Sequence, residues 1–232
     1  MRSGRGGFTL IELIFVIAII AVLVSMATIP VTSAREKARQ VDCMSNLRNI
    51  GVAIVTYRGD HGGNNPDWIS CLYPSYVDDL SVYVCRSDPN RGHGPVNDPA
   101  NRKYEETCDN DSKGGRTNAG QNDDVKANSY FYEFSSAMSD WSVDNEKVTW
   151  SKYKEWELRE GNDGKPYSSS RMPIVRCYHH SLKNKILAYD YNDSGDVNKN
   201  AYKRDGMTLN VAYAGNVVIA PLLWQAAMDR GK

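Results

Sequence analysis

Net charge is the first thing this chain lacks: 28 lysines and arginines are matched by 28 aspartates and glutamates. No stretch is rich in Lys or Arg, so nucleic acid is not expected as a partner. None of the five cysteines (Cys43, Cys71, Cys85, Cys108 and Cys177) sits in a C-x-x-C pair, which argues against a zinc ribbon. No internal repeat is visible, and no nucleophile–base pair stands out, so no enzymatic activity is expected. Disorder is also excluded, because 41% of residues are apolar and 24% charged. The 232 residues allow one domain plus a tail, or at most two small domains.

What is present is unevenly placed. Mean hydropathy is −0.54, yet from Phe8 to Ile29 the only charged residue is Glu12. As a helix, that run would be about 33 Å long, enough for a bilayer core. Arg2 and Arg5 precede it with no acid between them, which favours a cytoplasmic N-terminus and an exported remainder. An ordinary signal peptide carries its small residues after the apolar run. Here Gly6 and Gly7 come before it, so cleavage at Gly7–Phe8 removes only the basic leader and keeps the helix. Glu12 is costly inside a membrane, about 2.5–3.5 kcal/mol at a central position. It reads either as an acid snorkelling near the helix end or as half of an ion pair inside an assembly.

The run Gly7-Phe8-Thr9-Leu10-Ile11-Glu12-Leu13 resembles the type IV pilin and type II secretion pseudopilin superfamily. The resemblance implies that a prepilin peptidase cuts after Gly7, that the new N-terminal Phe8 is methylated, and that Glu12 docks subunits by pairing with the Phe8 amine of a neighbour. Pro30 fits the kinking proline many members carry. Implied partners are other pilin-like subunits, self-association into a helical filament, an assembly platform and ATPase, and the membrane. The implied location is the bacterial inner membrane, spanned once, with the head in the periplasm and the assembled filament periplasmic or on the cell surface.

After Pro30, Ala34, Ala38, Val41, Met44, Leu47, Gly51 and Ile54 recur at intervals of three or four, one face of an amphipathic helix. Glu36 and Lys37 belong to its solvated face. Gly59 and the run Gly62-Gly63-Asn64-Asn65-Pro66 stop it. The expected helix runs from Phe8 to Tyr57, kinked or interrupted at Pro30. Cys43-Met44-Ser45-Asn46-Leu47-Arg48-Asn49-Ile50-Gly51, Leu72-Tyr73-Pro74 and Cys85-Arg86-Ser87-Asp88 resemble a bacterial subgroup whose heads are like those of major pseudopilins, with a small sheet following the helix. Arg86 stands where that subgroup commonly has proline. The subgroup's closing hairpin often turns on Asp-Gly-His; here the turn reads Ala214-Gly215-Asn216.

The fold class expected is therefore α+β, a long N-terminal helix packed on a small antiparallel sheet. Its divisions are a leader (1–7), a filament-core helix (8–29), an amphipathic extension (30–58) and a head (59–232). Within the head, residues 86–128 are poor in large apolar groups and read as a long surface loop. Strands are expected at Ser129–Ser135, Lys147–Tyr153, Pro173–Tyr178, Lys185–Tyr191, Leu209–Ala214 and Val217–Ala220, with a short helix at Leu222–Met228.

Dispersed cysteines in an exported chain are disulfide candidates. The favoured pairing is Cys71–Cys85, which would stabilise by about 3 kcal/mol through loop closure. Cys108–Cys177 comes second and Cys43 is left over; free buried thiols are the alternative. His179 and His180 would point to opposite faces of a strand, so they read as loop or strand-end residues rather than joint ligands. Asp190, Asn192, Ser194 and Gly195 fit the first positions of a calcium loop, with Asp193 and Asp196 nearby. Ala201 at position twelve cannot supply the bidentate acid. No cofactor is expected apart from calcium at that loop. Three functions follow: a type II secretion pseudopilin, a surface type IV pilus subunit for adhesion, motility or DNA uptake, and a minor subunit whose head binds a glycan or a secreted substrate.

Overall fold

Thr9 and Glu12 start the first helix. The Glu12 carboxylate accepts from the Thr9 backbone N–H at 2.9 Å, and the Glu12 N–H points at the Thr9 hydroxyl at 3.4 Å. This reciprocal arrangement is a capping box. The helix it opens, α1, runs Leu10–Asp60. These observations come from a computed structural model, which describes residues 8–93, 120–161, 164–180 and 207–221. α1 is one helical element through Pro30, so the interruption considered there is not realised. It ends where Gly62 turns to φ +65° and the Gly63 N–H donates to the Arg58 carbonyl at 2.8 Å. That six-residue closure needs a left-handed residue, which glycine supplies without strain.

The chain divides into two compact units, Met1–Arg39 and Gln40–Lys232. In the first, the large apolar side chains from Phe8 to Val24 are all exposed, Leu10 by 76% and Ile17 by 55%. Among the described residues, no helix is long and apolar enough to cross a membrane.

In the second unit, α1 buries Cys43, Leu47, Ile50, Ala53 and Ile54. This face is rotated from the expected one. Leu47, Gly51 and Ile54 belong to both, but Val41 is 65% exposed and Cys43 opens the packed stripe. The expected stripe omits Cys43, although a buried cysteine packs as a small apolar residue.

After α1 the chain makes the 3-10 turns Ile69–Leu72 and Leu80–Tyr83. The second is capped by Asp79, which accepts from the Ser81 N–H at 2.8 Å. Among the described residues six strands follow: β1 (Phe131–Tyr132), β2 (Met138–Val143), β3 (Glu146–Thr149), β4 (Pro173–Cys177), β5 (Met207–Ala212) and β6 (Val217–Pro221). Four form an antiparallel sheet in the order β1-β4-β5-β6, and β2 pairs with β3. A second helix, α2, occupies Trp150–Arg159. The fold is thus α+β, as expected. The strand expected at Lys147–Tyr153 is corrected: it ends at Thr149, whose hydroxyl accepts from the Lys152 N–H at 3.3 Å and caps α2. The strand expected at Lys185–Tyr191 and the helix expected at Leu222–Met228 lie outside the described residues.

β4 is buried along its whole length, so its two faces need different partners. Val175 pairs with Val211 and Cys177 with Leu209, all in the main apolar core with Leu47, Ile50 and Ile54 of α1. A Cβ on Gly51 would meet Val211 Cγ1 at 2.8 Å and the Gly215 carbonyl at 2.9 Å, so α1 packs against the β5–β6 hairpin at glycine distance. The Arg58 guanidinium lies 4.1 Å from the Tyr213 ring and donates to the Tyr213 carbonyl at 2.5 Å. Arg176, between Val175 and Cys177, belongs to a buried charge network. It meets Glu133 at 3.1 Å, Glu133 meets Lys154 at 3.7 Å, and Lys154 meets Glu157 at 2.9 Å. Two cations and two anions balance, as buried charges require.

Candidate functional site

Among the described residues, two places carry chemistry. The first is the N-terminus of α1. Phe8 is 86% exposed; Gly7 lies outside the described residues. Glu12 is held at the helix start by Thr9, whose hydroxyl also donates to its Oε2 at 2.8 Å. An acid at this position complements the unsatisfied N–H groups and dipole of the first turn. In the single chain, therefore, Glu12 has a local partner. The T-x-x-E spacing that produces it is a local signal, and it adds helix capping to the snorkelling and docking roles expected of this acid.

The second place joins residues far apart in the sequence. The donor atoms of Cys43, Cys85, Cys177 and His180 all lie within 4.8 Å of one another, and all four residues are buried. Cys43 comes from the packed face of α1, Cys85 follows the turn Leu80–Tyr83, and Cys177 ends β4. His180 sits in the turn just after β4, and its Nε2 is 3.2 Å from Cys85 Sγ.

The turn that carries Cys85 is tightly held. The Asp88 N–H donates to the Cys85 carbonyl at 3.0 Å. The Asp88 carboxylate accepts from the N–H groups of Asn90 (2.8 Å) and Gly92 (2.7 Å) and from the Ser129 hydroxyl (2.6 Å). The next residue, Tyr130, places its hydroxyl 3.7 Å from Cys43 Sγ. On the other side, Asn46 donates to the Val84 carbonyl at 3.3 Å, and Arg86 meets Asp42 at 2.9 Å. Contacts close in sequence to each sulfur therefore tie the segments bearing Cys43 and Cys85 together.

The electrostatics are those of a crowded thiol site. Cys177 and Cys43, donating toward it, hold the Cys85 thiol far below its ordinary range against the opposing effect of burial. Burial first, then the neighbouring sulfurs, pushes Cys177 well up. Burial, followed by the three cysteines, pushes the Tyr130 hydroxyl well up, so it stays protonated and can donate to a sulfur.

These positions correct the expected pairing. Cys43, Cys71, Cys85 and Cys177 are in no disulfide. Cys71 lies on the 3-10 turn Ile69–Leu72 and donates to the Gly120 carbonyl at 3.3 Å, while Cys85 faces Cys43 and Cys177. Cys108 lies outside the described residues, as do Asp190, Asn192, Asp193 and Asp196 of the calcium pattern. Cys43, expected as the leftover thiol, is a member of the cluster. The histidines separate because β4 stops at Cys177: His180 joins the sulfurs, and His179 Nε2 lies 3.5 Å from Asp88 Oδ2. The sequence signal for this cluster is C-x-x-H at Cys177–His180, half of a common metal-ligand spacing.

Residues 2–28 match the family described as the prokaryotic N-terminal methylation motif, and residues 32–68 match a family described as a protein of unknown function (DUF1559). No curated protein and no solved structure matches the chain. The methylation motif covers most of the leader, Phe8, Glu12 and the exposed apolar turns of α1, and the second match covers the rest of α1 and the start of the head. The chain bears a prepilin-type N-terminal methylation motif, and its long N-terminal helix and small antiparallel sheet are consistent with a type IV pilin-like protein.

Proposed function

We propose that this chain is a structural subunit of a type II secretion pseudopilus, a filament that moves folded proteins outward. The observation that carries the reading is the apolar surface of α1 from Phe8 to Val24, exposed throughout, bearing one acid and coinciding with the methylation motif. Contiguous apolar surface of this extent marks an interaction site. A bilayer core satisfies it before assembly, and packed helices of neighbouring subunits satisfy it afterwards. In this reading the peptidase cuts at Gly7–Phe8, the chain spans the inner membrane once, and an assembly ATPase and platform lift it into the filament. Glu12 exchanges its Thr9 partner for the Phe8 amine of a neighbour, which offsets the desolvation of both charges and selects register. Heterologous, non-closing contacts then extend the filament. The protein acts by assembly and performs no catalysis.

The test is to delete the chain and follow both secretion of a folded exoprotein and the whereabouts of the mature subunit in the parent strain. A pseudopilin stays with the envelope, and its loss stops secretion. Recovery of the subunit in sheared surface filaments, with secretion intact in the deletion strain, contradicts the pseudopilin role and assigns the chain to a surface type IV pilus.

A further inference from the structure

We infer that Cys43, Cys85, Cys177 and His180 form a structural zinc site that fastens the packed half of α1 to the head. Nothing in this inference depends on which filament the chain builds. Three sulfurs and one imidazole nitrogen within 4.8 Å of one another match the donor set of a closed Cys3His shell. With Zn–S near 2.3 Å and Zn–N near 2.0 Å, neighbouring donors in a tetrahedral shell lie about 3.5–3.8 Å apart. The Cys85–His180 separation is already 3.2 Å.

A disulfide explains the arrangement less well. It would use two of the three cysteines, leave the third buried beside it, and give His180 no reason to be there. Soft thiolates with imidazole select zinc over calcium or magnesium, which take oxygen donors. All four ligands are buried, so no position is open to substrate and the role is structural. Outer-shell support is also present. Tyr130 lies beside Cys43, and the Asp88 carboxylate fixes the turn that presents Cys85. Groups of this kind orient ligands and tune metal affinity.

The ion would link three segments far apart in sequence, a cross-link that exists only in the folded state. Head stability then depends on metal, as binding free energy becomes folding free energy.

The experiment uses the full chain, purified in mild detergent without chelator. Elemental analysis should find stoichiometric zinc, and alkylation in denaturant plus chelator, without reductant, should recover Cys43, Cys85 and Cys177 as thiols. Anaerobic exchange for cobalt should give the thiolate charge-transfer and tetrahedral ligand-field bands of a sulfur-rich site; this reads the wild-type protein, so it does not depend on any variant folding. Among variants, Cys177→Ser and His180→Ala should lose the metal and Cys71→Ser should keep it. Tyr130→Phe should keep it with affinity lowered by about tenfold or more. Metal-free protein, a disulfide between any two of the three cysteines, or an oxygen-type octahedral cobalt spectrum overturns the assignment. Zinc that survives His180→Ala but not Cys71→Ser overturns it equally.

Discussion

α1 is one helix in two environments. From Leu10 to Val24 every large apolar side chain is exposed, whereas Cys43, Leu47, Ile50 and Ile54 are buried to within 1% exposure. Helical geometry is the same in both stretches. What differs is whether the chain supplies its own partner. The later stretch finds one in β5, the β5–β6 turn and the cysteine-bearing turn. The early stretch has an all-round apolar surface, which in the proposed filament is covered by lipid before assembly and by other copies after it. The head is therefore expected to melt as a unit on its own contacts, while assembly depends on residues that contribute nothing to that melting.

Substitutions in the two stretches should separate these properties. The largest effect is expected from Leu47→Ala, which empties a fully buried site and should destabilise the head by about 2–5 kcal/mol. Leu13→Ala, at a 59% exposed position, should shift the same calorimetric transition by less than about 0.5 kcal/mol. Equal shifts would erase the distinction between the stretches. Glu12→Ala should leave head melting unchanged and lower filament yield by on the order of a hundredfold, the scale of a broken buried ion pair worth about 3 kcal/mol. Normal yield in quantitative fractionation would remove Glu12 from docking.

Gly51→Ala adds a methyl that meets Val211 and the Gly215 carbonyl. It should cost about 1–3 kcal/mol in chemical denaturation, although alanine is the better helix former by about 1 kcal/mol. A gain in stability would show that α1 and the hairpin leave room for a side chain between them. Arg58→Ala loses a partly buried contact with Tyr213 and should cost only about 1 kcal/mol by the same measurement. A loss above about 3 kcal/mol would mean that this pair anchors the hairpin rather than trimming it.

Much of the scaffold is legible in the amino-acid sequence. The Phe8–Ile29 run and the Gly62-Gly63 stop place α1 to within a few residues, because each is a local signal with a local cause. β4 and the β5–β6 hairpin are legible for the same reason. α2 is not, because Lys147–Tyr153 mixes β-branched and aromatic residues with a Thr149 cap, and the cap decides. The cysteine–histidine cluster is least legible. Its four ligands come from a helix, a turn, a strand end and the turn beyond it, and sequence spacing records only the last pair, Cys177 and His180. Pairing cysteines by nearness in sequence joins Cys71 to Cys85, whereas packing of α1 on β4 brings Cys43 and Cys177 to Cys85 instead.

The filament role rests on processing at Gly7–Phe8, and intact mass spectrometry of the native chain reads that directly. Envelope and sheared-surface fractions should yield a chain that begins at methylated Phe8, with the envelope holding it if the filament is a pseudopilus. A chain still beginning at Met1, in cells with an active prepilin peptidase, would contradict the filament role and leave a plain membrane anchor.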